Sequence, residues 1–299
     1  MYKFFFLVSF LFLTACNNPA KFFDEKKKGE INVGDYEVIK MPEALKEISG
    51  ITFISDSVVA AIEDEHGLIY YYNIPKKQIT KTFKFADDGD YEDIIKVKDD
   101  LFVIESKGDI YQIVDFNHNP SIVKYKTLLK GKNDIEGIAY DQETNCLLLS
   151  IKEKNLDKED NDKFKNIYSF SLDTKIFNTI PVFKINLKTI ENHFKGDELT
   201  EISKKFLKAV GNKNQNEVFK PTSITYKPNT KDLYVLSSLN NIIVVMSSKD
   251  SIKQIIPFHG KSFSQPEGIA FNSKGELYIS NEGRKYQGNI IKIKKLDAK

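Results

Sequence analysis

The sequence predicts an all-β chain folded as a five-bladed β-propeller, with a helical insertion near residues 187–210. Three observations carry that reading. A six-residue segment recurs five times, as ISGITF (48–53), YEDIIK (91–96), IEGIAY (135–140), PTSITY (221–226) and PEGIAF (266–271). Its fourth residue is always isoleucine, at Ile51, Ile94, Ile138, Ile224 and Ile269, with separations of 43, 44, 86 and 45 residues. Further strand-like runs follow each copy. A sheet of about 40 residues cannot bury both of its faces alone, so stacking such units around an axis is the natural solution. A β-sandwich would account for the strands but not for the period.

Taken from the amino terminus, residues 1–15 read as a secretory signal peptide. Met1 to Lys3 form a short basic end, and residues 4–13 are an almost unbroken apolar run, shorter than the roughly 20 residues of a spanning helix. The run ends at Leu13-Thr14-Ala15-Cys16, which resembles a bacterial lipobox. Cleavage before Cys16 and diacylation of its thiol are expected, giving a palmitoylated lipoprotein anchored in the membrane. Asn17 in the next position resembles the sorting signal for the outer membrane of a Gram-negative cell. Residues 16–34 are polar, carry a charge run and lack periodicity, so they read as a tether.

Residues 35–296 read as the propeller domain. Residues 36–41 supply one strand ahead of the first repeat, and the fifth repeat holds only three, so the two complete one sheet and close the ring. In repeats one and two, runs such as VVAAIE and GLIYYYNI, or LFVIES and DIYQIVDF, are rich in β-branched and aromatic residues. The doubled interval admits either a decayed sixth repeat, giving six blades, or an insertion. Leu187, Ile190, Phe194, Ile202, Phe206 and Val210 fall at helical spacing, broken at Gly196-Asp197, which favours an inserted helical pair packed on the side or rim.

A formal net charge of +2, with lysines scattered rather than clustered, gives no field that would hold nucleic acid. Cys16 and Cys146 are the only cysteines; with the first lipidated, no intramolecular disulfide is available, and Cys146 in an apolar run is expected in the core. The four histidines lack paired ligand spacing, and there is no phosphate loop, dinucleotide fingerprint or nucleophile elbow.

Two places before the recurring isoleucine stand Ser49, Glu92, Glu136, Thr222 and Glu267, which the repeat would gather at the channel mouth. Like charges so gathered raise one another's pKa or demand a cation, and calcium accepts six to eight oxygen ligands in loose geometry. Glu92, Glu136 and Glu267, with Asp93 beside the first, are the expected ligands. An antiparallel second strand returns to the same face, adding Asp64, Glu105, Lys152, Ser237 and Asn281 to a polar ring.

The series SGITF, DYEDI, DIEGIAY, KPTSITY and QPEGIAF, backed by LYVLSS and LYISNEG, resembles the SdiA-regulated family of bacterial proteins over about residues 35–296. The resemblance implies a five-bladed propeller distantly related to NHL-repeat proteins, with a bound calcium ion and no established activity. The expected role is a calcium-binding module on the cell envelope that presents its channel mouth to a protein, peptide or glycan. The alternative is a calcium-dependent hydrolase of phosphate esters or lactones, with Glu92, Glu136 and Glu267 on the metal and Glu105 or Asp64 moving protons.

Overall fold

Twenty strands form five antiparallel four-stranded sheets in the computed structural model, which describes residues 35–194, 218–247 and 251–294. β1 (Tyr36–Lys40) precedes the first repeat. Blade 1 is β2 (Ile48–Ser55), β3 (Val58–Glu63), β4 (Leu68–Asn73) and β5 (Gln78–Lys84); blade 2 is β6 (Tyr91–Val97), β7 (Asp100–Glu105), β8 (Asp109–Val114) and β9 (Ser121–Lys126). Blade 3 is β10 (Ile135–Asp141), β11 (Cys146–Ile151), β12 (Phe164–Ser171) and β13 (Phe177–Asn186). Blade 4 is β14 (Ser223–Tyr226), β15 (Leu233–Ser237), β16 (Ile242–Met246) and β17 (Ile252–Pro257). Blade 5 takes β18 (Pro266–Phe271), β19 (Leu277–Asn281) and β20 (Asn289–Ile293) from the end of the chain and β1 from its beginning, in the order β1-β20-β19-β18.

Sequence explains the layering within a blade. Middle strands such as VVAAIE and IIVVM are apolar on both faces because blades cover them on both sides, and β16 is buried throughout. The outermost β5 and β9 run mainly exposed, with QITKTFK and SIVKYK. The buried side chains fall into five clusters, each shared by two adjacent blades. The recurring isoleucines sit one to a cluster and are almost fully buried. They are therefore the wedge that seats each innermost strand on the preceding blade.

The 86-residue interval holds an insertion between blades 3 and 4, so there are five blades rather than six. α1 (Leu187–Phe194) begins beneath Asn186, whose Oδ1 accepts the Thr189 N–H at 3.1 Å as an N-cap. Leu187, Ile190 and Phe194 bury against Val218 and Phe219 in the cluster between blades 3 and 4. The second expected helix, over residues 197–210, lies outside the described residues, as do Cys16 and the whole of 1–34. Among the described residues no helix is long and apolar enough to cross a membrane. Cys146 departs from expectation: it is half-buried at the first position of β11, beside the hairpin turn, with Sγ 3.3 Å from the Thr144 carbonyl.

Candidate functional site

Four of the five innermost strands carry a register shift where the polar column stands. Pairing skips between Tyr91 and Asp93, between Ile135 and Gly137, and between Pro266 and Gly268, so Glu92, Glu136 and Glu267 are each an extra residue on a bulge. In blade 1 the skip spans Ile48 to Ile51 and includes Ser49. A bulge breaks the two-residue alternation and re-aims one side chain, which is how a strand that otherwise packs sideways turns a carboxylate toward the mouth.

The result is a cavity of ≈ 160 Å³ lined by the carboxylates of Glu47, Asp64, Asp90, Glu92, Glu136, Glu267 and Glu282, with Lys152 as its one lining cation among the described residues. Glu92 and Glu136 join Asp134 in a group whose carboxylate oxygens lie within 4.8 Å of one another. Lys152, at the end of the second strand of blade 3, pairs with Glu136 and reaches Asp134 at 3.5 Å. Burial, then the neighbouring Glu136, pushes Glu92 up to about 10. Burial likewise lifts Glu136 to about 8 although Lys152 opposes it, and Glu267 to about 7. Asp64 rises to about 6 through burial and the charges of Glu47, Glu63 and Glu282, and its Oδ1 is buried without a hydrogen-bond partner. Against its own desolvation, Lys152 is held above the ordinary lysine range by Glu136, Asp134 and Glu267.

Of the column's two hydroxyl residues, Ser49 lines the cavity and Thr222 does not, and both hydroxyls bond across the ring. Ser49 Oγ donates to the Glu92 carbonyl at 2.5 Å and Thr222 Oγ1 to the Pro266 carbonyl at 3.1 Å, each tying one blade to the next. Of the second-strand set, Asp64 and Lys152 line the cavity, whereas Glu105, Ser237 and Asn281 do not. Glu105 is buried against Lys107 and the Tyr111 hydroxyl. Ser237 Oγ accepts the Lys220 N–H at 3.3 Å, and Asn281 Nδ2 donates to Asn289 Oδ1 at 3.2 Å.

Asp93, expected beside Glu92, turns the other way. It is 1% exposed, and its two oxygens accept the N–H groups of Ile94 at 2.9 Å and Ile138 at 3.0 Å and the Ser223 hydroxyl at 2.7 Å. Every other repeat has Gly or Ser there: Gly50, Gly137, Ser223 and Gly268. A Cβ on Gly50 would meet Asp93 Cα at 2.5 Å, so small residues let the strands close around this one carboxylate.

Asp134 is absent from the expected ligands, while Asp90 belongs to the acidic run 87–93 that the sequence offers as a source of extra ones. They belong to a further column, four places before the isoleucine, made of Glu47, Asp90, Asp134, Lys220 and Gln265. These residues precede the strands proper, where loop geometry rather than strand periodicity sets direction.

Fold and site together define a β-propeller with an acidic channel mouth. The chain belongs to the SdiA-regulated family, whose model matches residues 29–286. No curated protein matches it in sequence. Among solved structures it is similar to a Myxococcus xanthus glutaminyl cyclase, with 8% identity, TM-score 0.53, and 88% of this chain and 97% of that chain covered. It also resembles a luciferin-regenerating enzyme (11% identity, TM-score 0.49, covering 88% and 97%) and a streptogramin B lyase (12%, 0.46, covering 86% and 96%). At these identities the likeness is one of fold alone.

Proposed function

We propose that the protein is a lipid-anchored envelope module whose acidic mouth holds a calcium ion and presents it, with the surrounding carboxylates, to a protein, peptide or glycan. What carries this reading is the grouping of Glu92, Asp134 and Glu136 within 4.8 Å, of which Glu92 and Glu136 line a cavity that, among the described residues, carries seven carboxylates and one lysine. So many acids cannot all ionise in a half-enclosed space without a cation. The donors are all oxygen, which suits a hard ion and disfavours zinc. Lys152 already neutralises part of the group; its side chain is 30% exposed, so it has room to swing out when an ion enters. Bound calcium would supply fixed positive charge and open coordination positions for a partner's oxygens. Lipidation at Cys16 would hold the domain at the outer membrane, with residues 16–34 as the tether.

Calorimetric titration of the full chain with calcium tests the ion. One site is expected, weakened in Glu92→Gln and Glu136→Gln; no heat and no calcium-dependent change in melting would sink the proposal. Cys16→Ser should release the chain from the membrane fraction and abolish palmitate incorporation.

A second reading, a calcium-dependent hydrolase of phosphate esters or lactones, draws on one observation. Asp64 and Glu267 line the cavity with pKa values near 6 and 7, in the range of a general base. Glu105 is tied to Lys107 and Tyr111 away from the cavity, which leaves Asp64 for that role. Calcium-dependent turnover lost in Asp64→Asn would favour the enzyme over the binder.

A further inference from the structure

The innermost strands meet in a second cavity of ≈ 240 Å³ beyond Asp93, which lines it. Two places after each recurring isoleucine stand Phe53, Lys96, Tyr140, Tyr226 and Phe271, and all five line this space. The two channel mouths thus have opposite chemistry: carboxylates at one, four aromatic rings and a lysine at the other.

Three of the four rings are held in place before anything binds. Phe53 stands edge-on to Tyr278 at 4.8 Å, Phe271 edge-on to Tyr234 at 5.0 Å, and the Tyr140 hydroxyl donates to Asn145 Oδ1 at 3.0 Å. Rigid aromatic walls lose little entropy on binding. Lys96 is less satisfied. Its ammonium donates to the Ile54 carbonyl at 3.3 Å and lies 5.9 Å from the Phe116 ring centroid, with no carboxylate partner among the described residues. Lys124, Lys152 and Lys184, by contrast, each face an acid within 3 Å. A second polar group is also idle: Thr225 is only 8% exposed, lines the cavity, and its hydroxyl makes no hydrogen bond among the described residues.

We propose that this mouth binds a small aromatic carboxylate, its ring among Phe53, Tyr140, Tyr226 and Phe271, its anionic group toward Lys96, and the Thr225 hydroxyl bonded to a polar atom of the ligand. The volume fits the class, since about 150 Å³ already holds a benzene ring, leaving room for a short acidic side chain. The site does not depend on the acidic mouth or on calcium.

The chain contains no tryptophan, so the emission of an indole probe reports the probe alone. The full chain is titrated with indole-3-acetate and with the neutral indole-3-acetamide, in calcium and in chelator. Saturable binding of one indole-3-acetate per chain is expected, at least about 10-fold tighter than the amide, because the charge-assisted bond to Lys96 is absent in the amide. Lys96→Gln should bring the two ligands level, Lys96→Arg should keep the preference, and Thr225→Val should weaken both. Calcium should change none of this, which separates the result from the fate of the acidic mouth. The proposal is overturned by absence of saturable binding, by equal affinity for acid and amide, or by a preference that survives in Lys96→Gln folded as judged by its melting curve.

Discussion

Ser223 and Asp93 lie 130 residues apart in blades 4 and 2, which do not adjoin, yet the serine hydroxyl donates to the carboxylate at 2.7 Å. The same hydroxyl accepts the Ile269 N–H of blade 5 at 3.2 Å, while Asp93 holds the Ile138 N–H of blade 3. Ser280 of blade 5 completes the circuit by donating to the Ser49 carbonyl of blade 1 at 2.6 Å. One carboxylate is therefore the hub of an axial network that reaches blades 2, 3 and 4 directly and blade 5 through Ser223.

Asp93→Ala would leave the Ile138 N–H and the Ser223 hydroxyl buried without their acceptor. Each orphaned group costs about 1–3 kcal/mol, so a loss of about 3 kcal/mol in urea unfolding is expected. A change under 1 kcal/mol would mean that the hub is dispensable.

Metal-free protein should lose stability as pH rises. Glu92, Glu136 and Glu267 are raised by burial from 4.5 to about 10, about 8 and about 7. An acid raised on folding binds more protons folded than unfolded, so its contribution is whole below pH 4.5 and is lost as pH climbs through the folded value. Glu153, Asp160 and Glu276 are lowered and act oppositely, but only in acid below their ordinary values. Scanning calorimetry in chelator should show the melting point falling from pH 5 to pH 9, and calcium should flatten the decline. A flat profile in chelator would contradict the crowding of these acids.

Lys152→Met removes the cation that competes for Glu136 and Asp134. Calcium affinity should rise by about 10-fold, or about 1.4 kcal/mol, while the metal-free protein melts lower because Glu136 has lost its partner. Titration calorimetry reads the first effect and thermal melting the second; weaker calcium binding would show that the lysine assists the ion.

Ile39→Asp tests ring closure. Ile39 pairs with Ile290 and is buried in the cluster between blades 5 and 1 with Met41 and Leu45. A charge there should cost about 3 kcal/mol or more, read as an early unfolding midpoint in circular dichroism.

Blade number, ring closure and the first half of the insertion were legible because each rests on a repeated or periodic apolar pattern. Burial enforces such a pattern residue by residue, as Ile51 through Ile269 illustrate. The acidic mouth was legible in part, since repetition alone brings Glu92, Glu136 and Glu267 to one cavity. Asp93 was misplaced because a bulge between it and Tyr91 separates two neighbouring carboxylates onto different ends of the channel. Asp134 was overlooked because it stands in a loop, and Glu105, Ser237 and Asn281 fell outside the cavity because each ends its second strand level with Glu63 and Ile151, one residue short of the position of Asp64, Lys152 and Glu282, and successive side chains point to opposite faces.

β1 is the outermost strand of blade 5 and is paired with β20 alone, from Tyr36 opposite Ile293 to Lys40 opposite Asn289, while the Asp35 carbonyl accepts the Lys294 N–H at 2.7 Å. A load carried by the chain ahead of Asp35 therefore bears first on these rungs. Because Ile39 belongs to the same buried cluster as Ile51 of the first blade and Ile290 of the last, parting this seam would uncover core on both sides, so the join bears load for the whole wheel.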